Sequence, residues 1–274
     1  MTPARIDAHQ HYWRLDRGDY GWLTPQLGAI YRDFGPADLA PALARHAIAR
    51  TILVQAAPTL AETDYLLGLA AENSGIAGVV GWCDFAAASR IETLAKNPLL
   101  VGLRPMVQDI ADDDWLLRPD LAPAFEAMAA HSLVFDALVL PRHLPRLLAL
   151  ADRHPALAIV VDHAAKPHLR LRQLDPWRAD MAALAARPNV ACKFSGLATE
   201  FGPGWTPADL APVAAHLLAT FGRTRLLWGS DWPVLERAGS YDAWFAAAQA
   251  LVGDDAAIFG ANARRTYLEK RGRP

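Results

Sequence analysis

Eight short apolar runs, each followed by a helix-patterned stretch, recur along the chain and limit its fold more than any other feature. The runs are Arg5–Trp13, Arg50–Gln55, Ile76–Asp84, Leu99–Met106, Leu133–Leu140, Ala158–His163, Val190–Leu197 and Arg225–Pro233. They are near-continuous in Val, Ile, Leu and aromatic residues, the pattern of strands covered on both faces. Between them lie Ala- and Leu-rich stretches with helical spacing over 38–48, 63–73, 89–96, 119–130, 142–153, 176–187, 207–221 and 241–251. A last helix is expected over 254–270. Thr206-Pro207 and Asp175-Pro176 each set a capping residue before a first-turn proline. This alternation predicts one α/β domain over residues 1–274, a (β/α)8 TIM barrel, which typically needs ~250 residues. A doubly wound open sheet would carry a Gly-rich phosphate turn after its first strand, and the sequence has none there.

Composition narrows the function classes. A net charge of −2 with 20% charged residues argues against a nucleic-acid surface or a polybasic membrane surface. No apolar run reaches the roughly 18–20 residues that span a bilayer. The first residues lack a basic-then-apolar leader. Cys83 and Cys192 lie in apolar runs without metal-ligand spacing, so free thiols and a cytoplasmic location are expected.

Barrel strands converge on one pocket at their C-terminal ends. In strand 1, alternation puts Asp7, His9 and His11 on one face, where two imidazoles can meet one small ion or one carbonyl. Strand 2 ends in Gln55, strand 3 in Trp82 and Asp84, and strand 4 in Arg104. Strand 5 carries Asp136 mid-run, and strand 6 ends in Asp162-His163 with Lys166 beyond. Strand 7 offers Lys193 and Ser195, and strand 8 ends in Ser230-Asp231-Trp232. Singly, each has a structural reading: a capping Asp231, a core His163, an Arg104 paired with Asp84 or Asp136, a Lys193 on the rim. Together they mark one end of the barrel as a site. The long connection over 14–36, with Tyr20, Trp22, Tyr31 and Phe34, follows strand 1 and reads as an aromatic lid over it.

The residues His9-Gln10-His11-Tyr12-Trp13, Gly102-Leu103-Arg104, Asp162-His163-Ala164-Ala165-Lys166-Pro167, Lys193-Phe194-Ser195-Gly196-Leu197 and Gly229-Ser230-Asp231-Trp232-Pro233 resemble the amidohydrolase superfamily. The likeness covers essentially the whole chain and is to the branch of sugar-acid lactonases, with the 2-pyrone-4,6-dicarboxylate lactonases further off. It implies hydrolysis of an L-fucono- or L-rhamnonolactone-like substrate in sugar catabolism. Two-metal members use a lysine or glutamate from strand 4 and a histidine from strand 5. Here strand 4 ends in Arg104, which cannot be a ligand, and strand 5 has no histidine.

The resemblance therefore implies no strictly required cofactor, with room for one Zn²⁺ on His9, His11 and Asp231. Asp231 is the expected general base, His163, His9 and His11 its catalytic companions, and Arg104 a donor to the oxyanion. Lys193, Lys166, Trp22, Tyr20 and Trp82 complete the expected substrate contacts. Beyond a small-molecule lactone no partner is expected, and a monomer or a homodimer fits equally. The competing expectations are a zinc-dependent decarboxylase, another small-molecule hydrolase on this scaffold, and a non-catalytic binding barrel.

Overall fold

The computed structural model describes residues 4–171 and 173–272. Eight strands run parallel in sequence order: β1 (Arg5–Gln10), β2 (Ile48–Val54), β3 (Ile76–Gly81), β4 (Leu100–Leu103), β5 (Val134–Ala137), β6 (Ile159–Val161), β7 (Val190–Phe194) and β8 (Leu226–Trp228). Closure comes just past the strand ends, where Gln10 bridges Trp232 in parallel and Asp231 N donates to His9 O at 2.8 Å. The expected TIM barrel is therefore the fold.

Helices cover the outside: α1 (Pro36–Arg45), α2 (Leu60–Glu72), α3 (Ala88–Leu94), α4 (Ala122–Ala130), α5 (Leu144–Arg153), α6 (Trp177–Ala185), α7 (Leu197–Phe201), α8 (Pro207–Phe221) and α9 (Tyr241–Val252). The start of α8 follows its sequence signal, since Asp209 accepts from Thr206 N at 3.0 Å with Pro207 in the first turn. Between strands and helices lies the larger apolar core. A smaller inner core fills the barrel with Ile6, Ala8, Val54, Val80, Val101 and Val160.

The strand-like run at Val190–Leu197 stops at Phe194, and Leu197 opens α7 instead. In place of a regular last helix are two π-helical turns, Ala257–Ala261 and Arg264–Leu268. They bring Tyr267 and Leu268 into the inner core. Among the described residues, no helix is long and apolar enough to cross a membrane. Both cysteines are free and buried.

Candidate active site

Strand β1 departs from simple alternation. Asp7 stands opposite Thr51 but Gln10 opposite Leu53, so β1 holds one extra residue between them. Such a bulge re-aims the side chains that follow. Asp7 therefore does not share a face with His9 and His11, contrary to the alternation. It turns outward and accepts from Ser230 N at 2.9 Å and from Tyr241 Oη on α9 at 3.1 Å. Burial pushes its carboxyl up to about 6, against these hydrogen bonds. His9 and His11 turn inward. Two glycines clear space for the site imidazoles. A Cβ on Gly229 would lie 2.7 Å from His9 Cβ, and one on Gly196 (φ +68°) 2.4 Å from His163 Nδ1.

At the mouth, Asp231 Oδ1 lies 3.3 Å from His11 Nε2, 3.7 Å from His9 Nε2 and 3.8 Å from His163 Nε2. Burial works to raise the Asp231 carboxyl. The surrounding imidazoles outweigh burial and hold it well below the usual carboxylate range. His163 is lowered to about 4, chiefly by burial, so it is neutral at pH 7. Its Nδ1 is 3.0 Å from Ser195 Oγ. His163 opens a turn in which it, Ala164, Ala165 and Lys166 all have positive φ, from +51° to +57°. Lys166 N donates to His163 O at 2.9 Å, and Trp177 Nε1 donates to Ala164 O at 2.7 Å, which fixes this left-handed turn from α6.

Lys193 is not a rim cation. It sits mid-strand in β7 opposite Leu227, wholly buried, and does not line the cavity. The run that suggested a strand end at Leu197 placed it too high. Its Nζ donates to Asp136, whose other oxygen accepts from Tyr267 Oη at 2.7 Å. It also lies 3.0 Å from Asp162 Oδ1 and 3.0 Å from His9 Nδ1. Asp162 was visible in the sequence only as the neighbour of His163. It accepts from Arg104 Nη1 at 3.2 Å. Burial would raise the Asp162 carboxyl, but Lys193, His9 and Arg104 together hold it well below its ordinary value. Arg104 thus pairs with Asp162, not with Asp84 or Asp136, and also donates to Gln55 O. Its Nε is buried without a partner among the described residues.

Beside these buried groups lies a cavity of about 200 Å³. His11, His163, Asp231, Arg104, Lys166 and Trp22 of the expected set line it. Lys166 pairs with Glu200 at 3.1 Å. Trp22 hangs from the loop after β1, with its Nε1 donating to Ala56 O at 2.7 Å. Ala56 is itself held by Glu62, a buried carboxylate that accepts from Ala56 N at 2.9 Å and Ala57 N at 2.7 Å. Tyr20 does not reach the cavity; it is buried beneath the loop with its ring 6.3 Å from that of Trp13. Trp82 lines a separate cavity next door. Gln108 and Arg237 line the site and were not singled out from the sequence. Arg237 is exposed and has no ion pair or hydrogen bond among the described residues.

The donor set also bears on a metal. His9, His11 and Asp231 each offer a ligand atom within 4.8 Å of the others. His11 Nδ1 lies 2.8 Å from Val54 O, and a carbonyl only accepts, so Nδ1 carries a hydrogen and Nε2 is the nitrogen turned to Asp231 at the mouth. His9 is set differently. Lys193 Nζ lies 3.0 Å from its Nδ1 and Arg104 Nη1 lies 3.4 Å from its Nε2, so a cation that only donates faces each ring nitrogen. Its Nε2 also lies 3.2 Å from His11 Nε2. The set fits one zinc ion, with Nε2 of both His9 and His11 turned to Asp231.

A family model described as Amidohydrolase matches residues 6–268. The chain is 50% identical to an L-fucono-1,5-lactonase of Burkholderia ambifaria, over 96% of this chain and 95% of that one. It is 38% identical to an L-fucono-1,5-lactonase of Burkholderia multivorans, over 97% of each. A zinc-bound crystal structure of an amidohydrolase from Burkholderia multivorans superposes with a TM-score of 0.90 at 36% identity, covering 98% of this chain and 99% of that one. The likeness runs through all eight strands and is not confined to the histidines, so the chain belongs to the amidohydrolase family.

Proposed function

We propose that the protein hydrolyses the ring ester of a sugar-acid lactone of the L-fucono-1,5-lactone class, in sugar catabolism. One observation carries this reading: an ionised Asp231, beside three imidazoles of which His11 and His163 line the same wall, in a cavity sized for one sugar ring. The 50% identity to an L-fucono-1,5-lactonase supports the substrate class.

Asp231 takes a proton from water, and the hydroxide adds to the lactone carbonyl. Positioned acid–base groups of this kind contribute typically ~10²–10⁴-fold. Arg104, which lines the cavity, donates to the developing oxyanion. His163, neutral at pH 7, favours the tautomer with its hydrogen on Nε2, facing Asp231. As the carbon–oxygen ring bond breaks, Asp231 returns its proton to the ring oxygen. The product is an open-chain aldonate. Lys166 and Arg237 bind hydroxyls at the rim, and Trp22 covers the ring as part of the lid over 14–36. Zinc held by His9, His11 and Asp231 would supply Lewis acidity toward the carbonyl. We place the protein in the cytoplasm, as a monomer or homodimer, with the lactone as its partner.

The test is a pH-indicator assay on aldonolactones, L-fucono-1,5-lactone first, before and after chelation with zinc content measured. Rapid turnover that survives chelation is expected. Turnover lost with zinc and restored by it would keep the reaction but overturn the metal-free use of Asp231. No turnover on any lactone would overturn the reading itself.

A further inference from the structure

Next to the catalytic cavity lies a second one of about 620 Å³, and the two share Trp22, Met106 and Asp109 as a common wall. The lactone ring occupies the smaller space, so the larger one has no use in the reaction as described. Its remaining walls include Trp82, Trp115, Phe85 and Pro105, with Asp84 at its edge. Trp115 packs against Phe85 at 5.8 Å between ring centroids, so this aromatic face is built and not loose. Trp22 is anchored on Ala56 O and stands between the two spaces, more than a third exposed.

The chemistry of the walls selects an occupant. Flat indole faces suit the apolar face of a pyranose ring, and carboxylates accept strong hydrogen bonds from its hydroxyls. Asp84 and Asp109 are exposed and have no ion pair among the described residues. They would repel a carboxylate or phosphate substituent. A plain alkyl or aryl group would leave them unused.

We infer that the second cavity is a subsite for a glycosyl group carried by the lactone, so that the enzyme also opens lactones of disaccharide aldonic acids. The inference rests on the lactonase reading. The bond cleaved is unchanged: one water is consumed, the ring ester opens, the glycosidic bond stays intact, and the product is a glycosylated aldonate.

The test uses disaccharides with reducing-end L-fucose, linked at O2, O3 or O4 and oxidised to their 1,5-lactones, beside unsubstituted L-fucono-1,5-lactone. At least one isomer is expected to show a KM at least tenfold lower than the unsubstituted lactone. Trp115→Leu should return that KM to the unsubstituted value and leave the unsubstituted lactone unaffected. Asp84→Asn, on an exposed position, should weaken the same advantage about threefold if Trp115→Leu fails to fold. The subsite is overturned if no isomer gains over the unsubstituted lactone. It is equally overturned if the variants act alike on both substrates, or if a benzyl ether gains where the sugars do not. Failure of the unsubstituted lactone to react is a separate outcome and removes the lactonase reading.

Discussion

Two storeys of polar groups stand inside this barrel, and they are built on opposite rules. In the lower one, Lys193 is matched by Asp136 and Asp162, and Asp136 again by Tyr267. All are wholly buried. In the upper one, Asp231 meets three imidazoles at 3.3–3.8 Å and Arg104 keeps an unused Nε. Taking a charge out of water costs several kcal/mol unless partners compensate it. The lower storey is matched in charge throughout, with Asp162 Oδ1 held by Lys193 as an ion pair at 3.0 Å and not by a hydrogen bond. The upper storey opens on the cavity, where a substrate can meet His11, His163, Asp231 and Arg104. His9 joins the two, with Nδ1 taken from below by Lys193 and Nε2 turned to the mouth.

That contrast can be broken at its strongest point first. Asp231→Asn keeps the shape of the mouth and removes the base; kcat/KM should fall about 10³-fold with the melting temperature unchanged. An active variant would show that the upper storey does not work through this carboxylate. Lys193→Met acts below: it strands two buried carboxylates, so denaturant unfolding should show a loss of about 3–5 kcal/mol. A loss under ~1 kcal/mol would mean that the lower storey tolerates incompleteness after all. Arg237→Ala tests the rim, where KM should rise about tenfold, with kcat kept and stability within about 0.5 kcal/mol.

The pH profile should show the smallest effect. His163 is lowered to about 4, so it stays neutral as pH falls from 8 to 5. Below that it gains a proton and pairs with Asp231, weakening the base. Asp231 itself is held lower still and remains ionised. A flat profile falling only near pH 4 is expected; an acid limb centred on the ordinary histidine value of about 6.5 would contradict the burial of His163.

The barrel was legible because strands covered on both faces must be apolar without interruption, and eight such runs survive in the sequence. The mouth was legible for a related reason: a charge at the end of an apolar strand, as at Arg104, His163 or Asp231, has few structural explanations. Within the strands legibility failed. One extra residue in β1 turns Asp7 outward, and no pattern of residue types records that insertion. A lysine near the end of an apolar run reads as a group for the mouth, so Lys193 was expected among the substrate contacts. The available signal was its position mid-run in one strand with Asp136 mid-run in another, opposite charges inside apolar segments. Glu62 and Arg237 lay outside the strand ends, where helix and loop charges are usually solvated and carry no such signal. The π-helical turns that deliver Tyr267 follow from packing against the barrel floor, not from local spacing.

The left-handed turn from His163 to Lys166 has a consequence for how this enzyme can diverge. Four successive non-glycine residues there hold a backbone that costs roughly 1–2 kcal/mol each. His163 and Lys166 ride on that one turn, one at the chemistry and one at the rim. A lineage exploring new substrates can exchange Arg237 or Gln108 singly, but it cannot move these two apart. Alanine and glycine are the tolerable residues between them, and a β-branched one would unseat both together. The adaptable part of the pocket is therefore the wall that this turn does not build, with Trp22 and Met106 in it, while the sixth strand's exit is inherited whole.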